Sequence, residues 1–132
     1  ISFSSYQVIP LCAPDYFKER LFHWGERGES GWTLPPRALS EERLLLREKG
    51  SAIRDVFDGA MIQQDLKFSA SWVSVNSKTL LHAAEAGLGI TFLPDRLAEE
   101  WLEKGRLITF YLKYISEPMK LFIRLAQDPE LF

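Results

Sequence analysis

Two junctions between apolar runs and helical patterns most constrain the fold of this chain. Residues 44–54 read LLLREKGSAIR, in which glycine and serine join an apolar run to a helical pattern. Residues 86–94 read AGLGITFLP, in which two glycines join a helical pattern back to an apolar run. Alternation of this kind builds a parallel sheet whose edge can hold a small molecule.

The order of elements from residue 44 onward predicts an α/β fold. Three consecutive leucines at positions 44, 45 and 46 are typical of a strand buried on both faces. The spacing of Ile53, Phe57 and Met61 predicts a helix with one apolar stripe. Further predicted strands follow at residues 68–75, 90–93, 107–112 and 120–126. The sheet is therefore predicted to be largely parallel, with helices on its faces.

Short polar residues and glycines mark the ends of the predicted helices. The N-caps are predicted at Ser51, at Asn76 or Ser77, and at Asp95. Gly87 and Gly105 stand where a helix stops in the left-handed conformation. These positions predict three helices between the first four of the five strands predicted from residue 44 onward.

The part of the chain before residue 44 is less regular. Residues 7–13 predict a strand, and residues 17–24 predict a short helix. Three glycines in residues 25–34 predict an irregular loop, and residues 35–41 predict a helical turn that begins with proline. The aromatic residues between 16 and 32 fit either an interface or a cover over the domain.

Composition limits the class of protein. A chain of 132 residues with 46% hydrophobic residues has the size and the core of one domain. A net charge of −2 and a pI near 5.7 give no overall attraction to nucleic-acid phosphates. The single cysteine fits a reducing compartment, and we expect a cytoplasmic protein with no membrane span. The absence of an initial methionine indicates a fragment of a longer protein.

No residue pattern indicates an enzyme, a metal site or a cofactor site. His23 and His82 lie far apart, with no partners at metal-ligand spacing. Cys12 lies in an apolar strand without a neighbouring cation, as expected for a small buried side chain. Gly87 and Gly89 lack the third glycine of the dinucleotide fingerprint and precede a strand instead of following one.

The predicted helix starts are the best candidates for a ligand site. A helix beginning at Ser51 presents backbone amides and a hydroxyl, which favour an anion or a carboxylate. The simpler interpretation, that Ser51 only caps its own helix, remains open. The segment from Ser74 to Asn76 offers similar groups at the next helix start. Because ligands collect at the carboxyl edge of open α/β sheets, we expect both starts to face one crevice.

The chain resembles the effector-binding domain of LysR-type transcriptional regulators from about residue 8 to residue 125. The segment LLREKGSAIR at residues 45–54 is similar to the family's Arg-Glu-x-Gly-Ser-x-Thr-Arg motif. The segment AAEAGLGITFLP at residues 83–94 is similar to its Val-x-x-Gly-Leu-Gly-Ile-x-x-Leu-Pro motif. The segment VIPLCAP at residues 8–14 resembles the family's first hinge strand, and GRLI at residues 105–108 leads into the second.

The resemblance implies a Rossmann-like lobe of the periplasmic-binding-protein type II fold, with a mostly parallel mixed sheet flanked by helices. It implies a second lobe over about residues 14–106, with hinge strands at about 7–13 and 107–112 and a return strand at 120–126. It places a small-molecule effector between two lobes, with a ligand-binding set drawn from the two helix starts: Gly50, Ser51, Ala52, Ser74, Val75 and Asn76. DNA binding would come only from an N-terminal winged helix-turn-helix absent here, in a homo-oligomer of the full-length protein.

Departures from the family pattern leave the effector open. Ile53 stands where the family usually has threonine, and Tyr16 and Phe17 replace the usual His-Pro. Two other functions remain as alternatives, namely a periplasmic-type solute-binding lobe and an enzyme on a similar two-lobed fold. The first would require a signal peptide upstream, and the second would require a catalytic residue in the cleft.

Overall fold

The computed structural model describes residues 3–115 and 120–124, with side chains for residues 6–115. Most of the strands lie in a six-stranded sheet with the order β5-β4-β6-β1-β7, in which β9 also pairs with β1. These strands are β1 (Phe3–Cys12), β4 (Leu44–Arg47), β5 (Trp72–Ser74), β6 (Ile90–Pro94), β7 (Ile108–Thr109) and β9 (Lys120–Arg124). A second sheet of three strands has the order β2-β3-β8. Its strands are β2 (Glu26–Gly28), β3 (Gly31–Leu34) and β8 (Tyr111–Leu112).

Strand direction in the large sheet agrees with the mostly parallel sheet predicted from the sequence. Strand β4 pairs in parallel with β5 and with β6. Strand β1 pairs antiparallel with β6, β7 and β9. Since all of these strands except β1 run the same way, the sheet is mixed with a single reversed strand among the described residues. All four residues of β4 are buried, as expected for a strand covered on both faces.

The helices that cover the sheet begin and end close to the predicted positions. Helix α1 (Pro14–Tyr16) continues through a π-helical turn (Phe17–Leu21) and a 3₁₀ turn (Phe22–Trp24). A further 3₁₀ turn (Pro36–Leu39) forms where a helical turn is predicted. Two longer helices follow β4 and β5, and a short one follows β6: α2 (Ala52–Gln63), α3 (Ser77–Glu85) and α4 (Glu99–Glu103).

The core lies between the large sheet and helices α2 and α3. The predicted stripe of α2 is buried at Ile53, Phe57 and Met61. The Phe57 ring lies 4.5 Å from the ring of Phe92 on β6, centroid to centroid. Burial of each such side chain contributes about 1.5–3 kcal/mol to the free energy of folding. Packing of the helices onto the sheet therefore orients the loops at the ends of the strands.

The prediction of an irregular loop at residues 25–34 is wrong, because these residues form a β-hairpin. Gly28 pairs with Gly31 across a two-residue turn, and the φ of Gly31 is +129°. The same glycines that argue against a regular element therefore make the turn between two short strands. Strand β3 is then held in place by parallel pairing with β8, a long-range contact that local spacing does not reveal.

Two predicted strands are shorter or more divided than expected. The strand predicted at 68–75 forms only at Trp72–Ser74, where the four-residue strand β4 gives it a partner. The strand predicted at 107–112 divides at Phe110, since Ile108–Thr109 pairs with β1 while Tyr111–Leu112 pairs with β3. Of the strand predicted at 120–126, residues 125–126 lie outside the described residues.

The cap predicted at Asp95 is also wrong. Pro94 occupies the N-cap position, and Asp95 is the first residue of a 3₁₀ turn (Asp95–Ala98) that leads into α4. The Asp95 carboxylate accepts a hydrogen bond from the backbone N–H of Arg96 instead of from a residue one turn later. Proline can adopt the extended backbone of an N-cap, although it has no side chain that accepts a hydrogen bond. The turn therefore begins at Asp95, one residue earlier than a cap at Asp95 would predict.

Gly89 is the glycine on which the sheet most depends. Its neighbour Ile90 donates a backbone hydrogen bond to the Arg43 carbonyl at 2.8 Å. A Cβ at position 89 would overlap the same carbonyl, so the backbones before β4 and β6 approach closely only because residue 89 has no side chain.

We expect Gly89→Ala to lower the free energy of unfolding by about 1–3 kcal/mol, since the overlap forces the two backbones apart. Gly59→Ala is the matched control, because Gly59 is exposed within α2 and its Cβ would meet nothing within 4 Å. The control is expected to gain about 0.5–1 kcal/mol from helix propensity. Urea unfolding followed by circular dichroism measures both, and equal stability of the two variants would contradict the predicted role of Gly89.

Candidate functional site

The two predicted ligand-binding segments lie at the same edge of the large sheet. Strands β4 and β5 pair in parallel with Arg47 opposite Ser74, so both strands reach their carboxyl ends together. Gly50, Ser51 and Ala52 follow the first strand, and Val75 and Asn76 follow the second. The chain order therefore brings the starts of α2 and α3 side by side.

Ser51 caps helix α2, as predicted. Its Oγ accepts hydrogen bonds from the backbone N–H groups of Ile53 at 3.1 Å and Arg54 at 3.4 Å. The residue is only 3% exposed, and Gly50 before it turns the chain with a φ of +98°. The hydroxyl thus has a defined capping role in the fold. A bulky residue here would disturb the helix start itself, so position 51 is a poor place to probe ligand binding separately from folding.

The N-cap of helix α3 is Asn76. The sequence left Asn76 and Ser77 as alternatives for this cap. The Asn76 Oδ1 accepts a hydrogen bond from the backbone N–H of Thr79 at 3.0 Å. The Ser74 Oγ in turn accepts one from the backbone N–H of Asn76 at 3.0 Å. Val75 between them is 72% exposed. This start is therefore ordered by local hydrogen bonds and open to solvent.

Arg47 connects the two segments and was not identified from the sequence. Its Nη1 donates a hydrogen bond to the Ser77 Oγ at 2.8 Å, across from β4 to the start of α3. Its Nε donates to the Glu48 carboxylate at 2.9 Å, and this hydrogen bond lowers the pKa of Glu48. Arg47 is only 6% exposed. The sequence signal that could have identified Arg47 is a charged residue at the end of a buried apolar run. Such a charge needs hydrogen-bond partners at the sheet edge.

Arg54 ties the other helix to the same strand end. Its Nη1 donates a hydrogen bond to the Arg47 carbonyl at 2.9 Å. Its Nε lies 3.1 Å from both carboxylate oxygens of Asp58, one turn further along α2. Arg54 is buried, with 6% exposure. The relative position of the two helix starts is therefore set by two buried guanidinium groups and their hydrogen bonds.

Cys12 lies at the end of β1, next to the pairing with β7. The side chain is fully buried, and burial, with a smaller contribution from the negative charge of Glu42, raises the pKa of its thiol from 9.0 to about 12. Nearby, the Glu42 carboxylate accepts hydrogen bonds from the Tyr16 hydroxyl and, at 2.7 Å, from Arg20. Burial and the bond to Glu42 raise the pKa of Tyr16 to about 12. Cys12 is thus a protonated core residue at neutral pH, as the sequence suggests.

Metal-ligating residues do not cluster in the part of the chain that the structure describes. No group of three or more histidine, cysteine, aspartate or glutamate side chains there could hold a metal ion. His82 is exposed, and its ring packs edge-on at 5.7 Å from that of Trp101. Within the same residues, no helix has the length and apolar character needed to cross a bilayer.

Comparison with known proteins identifies the family. The family model described as the LysR substrate binding domain matches residues 3–122. The chain therefore belongs to the LysR substrate-binding domain family. The Rossmann-like α/β fold with a mostly parallel mixed sheet, of the periplasmic-binding-protein type II kind, is confirmed by this match and by solved regulatory domains of LysR-type regulators, among them those of HypT from Salmonella typhimurium and CrgA from Neisseria meningitidis.

Two curated relatives are transcriptional regulators. The uncharacterized HTH-type transcriptional regulator YeiE of Escherichia coli (strain K12) is 36% identical over 63 residues, which are 48% of this chain and 22% of that protein. The probable hydrogen peroxide-inducible genes activator of Streptomyces viridosporus is 30% identical over 103 residues, which are 76% of this chain and 32% of that protein. The matches therefore span between about a fifth and a third of the length of these relatives.

Solved structures support the fold. The full-length structure of HypT from Salmonella typhimurium, described as a hypochlorite-specific LysR-type transcriptional regulator, matches with a TM-score of 0.62 and 21% identity over 92% of this chain and 36% of that one. VV2_1132, a LysR family transcriptional regulator, matches with a TM-score of 0.60 and 18% identity over 82% of this chain and 30% of that one. At such identities the likeness concerns the fold alone.

Replacing Arg47 with methionine is expected to lower the free energy of unfolding by about 1.5–3 kcal/mol, because its charged hydrogen bonds are lost in a buried position. Arg43→Met is the control, since exposed Arg43 donates to the carbonyl of Leu88 and its loss is expected to change stability by less than about 1 kcal/mol. Urea unfolding measures both variants. Equal losses would show that Arg47 does not hold the sheet edge together.

The raised pKa of Cys12 predicts a stability that falls at alkaline pH. The protonated thiol is favoured in the folded state, so its contribution is complete below the unfolded pKa of 9.0 and is lost as the pH rises toward about 12. Unfolding by urea at pH 8 and pH 10 is expected to show this loss, with a smaller loss in Cys12→Ala. The native thiol is also expected to resist alkylation at pH 8 and to react after denaturation. Rapid alkylation of the native protein would contradict the assignment.

Proposed function

We propose that this chain is the effector-sensing part of a LysR-type transcriptional regulator, with Gly50, Ser51, Ala52, Ser74, Val75 and Asn76 forming the ligand-binding surface. The observation that carries the proposal is the parallel pairing of β4 and β5, with Arg47 opposite Ser74. Because of this register, two helix starts lie next to each other at one sheet edge, which is where open α/β sheets hold their ligands.

The proposed effector is a compact anion. Helix α2 has 12 residues and α3 has nine, so both have aligned peptide dipoles that favour negative charge at their first turn. Each such interaction contributes about 0.3–1 kcal/mol at an exposed site and more where water is excluded. The Arg47 guanidinium donates to Ser77 at the start of α3, and its pairing with Glu48 balances its charge, so the preference for an anion rests on the helix starts themselves.

The proposed response is a change in the angle between two lobes. In this proposal residues from about 14 to 106 form the second lobe, and the strands at about 7–13 and 107–112 are the hinge. An effector shifts the populations only by its difference in affinity for the two states, and a change from 1:99 to 99:1 needs about 5.5 kcal/mol. DNA binding would come from a winged helix-turn-helix elsewhere in a cytoplasmic homo-oligomer.

We propose sensing without catalysis and without oxidation of Cys12. One relative is described as hydrogen peroxide-inducible and another as hypochlorite-specific. Oxidants react with thiolates that are accessible, whereas the Cys12 thiol is buried and keeps its proton.

Val75 offers the sharpest test, because it lies between Ser74 and Asn76 and its substitution leaves the core intact. We expect Val75→Glu to weaken binding of a small anion at least about tenfold through like-charge repulsion. Val75→Gln is the matched control, because glutamine has the size of glutamate but no charge. This variant is expected to bind like the parent chain. Calorimetry and amide NMR shifts with acetate, succinate, phosphate and bromide are the measurements.

Circular dichroism should show that both Val75 variants fold, since the side chain is mostly exposed. The same affinity in the Glu and Gln variants would remove these residues from the site. Failure of all four anions to bind the parent chain would contradict the anionic class of effector.

A further inference from the structure

A concavity lies at the edge of the large sheet where β4 begins, opposite the edge that carries the two helix starts. It has a volume of about 450 Å³, which is within the range of ligand sites. Its described lining lies in residues 19–24, which follow β1, and in residues 37–42, which precede β4. Strand β4 has four residues and rises by about 3.3 Å per residue, so roughly 13 Å of strand separates the two edges. Strand β9 pairs with the first half of β1, whereas the lining follows the last residue of β1.

Arg37 and Trp24 form one wall of this concavity. The Arg37 guanidinium lies over the Trp24 indole, 5.5 Å from the ring centroid. Arg37 is exposed, and its side chain makes no ion pair or hydrogen bond with the residues that the structure describes. A guanidinium on an aromatic face keeps its planar N–H edge available, and this edge fits a carboxylate through two parallel hydrogen bonds. Arg37 is therefore a preorganised donor for a carboxylate ligand.

Carboxylates line the same concavity. Glu19 and Glu41 are exposed lining residues, and within the described part of the chain neither side chain has an ion pair or a hydrogen bond. Glu42 also lines the concavity, but its carboxylate already accepts hydrogen bonds from the Tyr16 hydroxyl and from Arg20. One guanidinium and two carboxylates therefore remain available to a ligand.

These charges favour a ligand that carries both signs. A simple carboxylate at Arg37 is repelled by Glu19 and Glu41, and a simple ammonium ion at those two carboxylates is repelled by Arg37. An α-amino acid has both charged groups on one carbon, so each repulsion is offset by an attraction. Trp24 and Ala38 line the same space and provide an apolar surface for a hydrocarbon side chain.

We propose that this concavity binds a small α-amino acid with an apolar side chain. Arg37 binds its carboxylate, Glu19 and Glu41 bind its ammonium group, and Trp24 contacts its hydrocarbon. The site lies at the opposite sheet edge from the proposed effector surface and does not depend on it. Because its two walls come from different segments, a bound amino acid would hold the helical segment after β1 against the turn before β4.

The test titrates the chain with L-leucine, using calorimetry and the indole N–H NMR signal of Trp24. Leucinamide lacks the carboxylate charge and 4-methylpentanoate lacks the ammonium group, while both keep the hydrocarbon. We expect saturable binding of leucine. Each analogue is expected to bind at least about tenfold more weakly, since it leaves one charge of the concavity unmatched.

Arg37→Gln removes the guanidinium and is expected to weaken leucine binding about tenfold. Arg27→Gln is the matched control, because exposed Arg27 also lies over an indole, that of Trp32 at 5.8 Å, but is not among the lining residues. Glu41→Gln is expected to weaken binding by a similar factor, with the exposed Glu29→Gln as its control. Circular dichroism checks that each variant folds.

The proposal is overturned if the parent chain does not bind leucine, if either analogue binds as tightly, or if Arg37→Gln and Glu41→Gln bind as tightly as their controls. It is also overturned if Val75→Glu weakens leucine binding, because the amino acid would then lie at the helix starts. The anion titrations of the Val75 variants report on the helix starts alone, so either proposal can fail without the other.

Discussion

The parallel pairing of β4 with β5 and β6 is the constraint on which the rest of this structure depends. It buries three consecutive leucines on both faces of the sheet and brings the carboxyl ends of neighbouring strands to one edge. Parallel strands also require a crossover helix between them, so α2 and α3 must begin at that edge. The position of the candidate site therefore follows from the same pairing that forms the core.

Two buried arginines connect the helix starts at this edge to strand β4. Burial of a guanidinium is unfavourable unless its donors are satisfied. Arg54 meets this requirement with Asp58 and the carbonyl of Arg47, while Arg47 uses Glu48 and Ser77. These bonds run from β4 to the first turns of both helices. A network of this kind restricts where the helix starts can lie, and preorganised amides bind a ligand with a smaller loss of entropy.

Elements with a local cause were predictable from the sequence, and elements with a distant partner were not. Ser51, Gly87 and Gly105 act within a few residues of themselves, and their spacing alone indicated a helix cap and two left-handed helix ends. For the next helix the spacing left Asn76 and Ser77 as alternative caps, and the structure has Asn76. The buried strand β4 and the stripe of α2 were equally readable from apolar periodicity. The hairpin at Glu26–Gly28 and Gly31–Leu34 was missed, since its stability includes pairing of β3 with β8, almost 80 residues later.

By itself, the sequence determined the alternation of strands and helices and the residues available at the helix starts, because these depend on residue type and short spacing. Only the tertiary structure decided that Arg47 bonds to Ser77 and that the strand after Gly105 divides between two sheets. Each of these depends on strand register. Register is set by the packing of residues far apart in the chain, which no local pattern records.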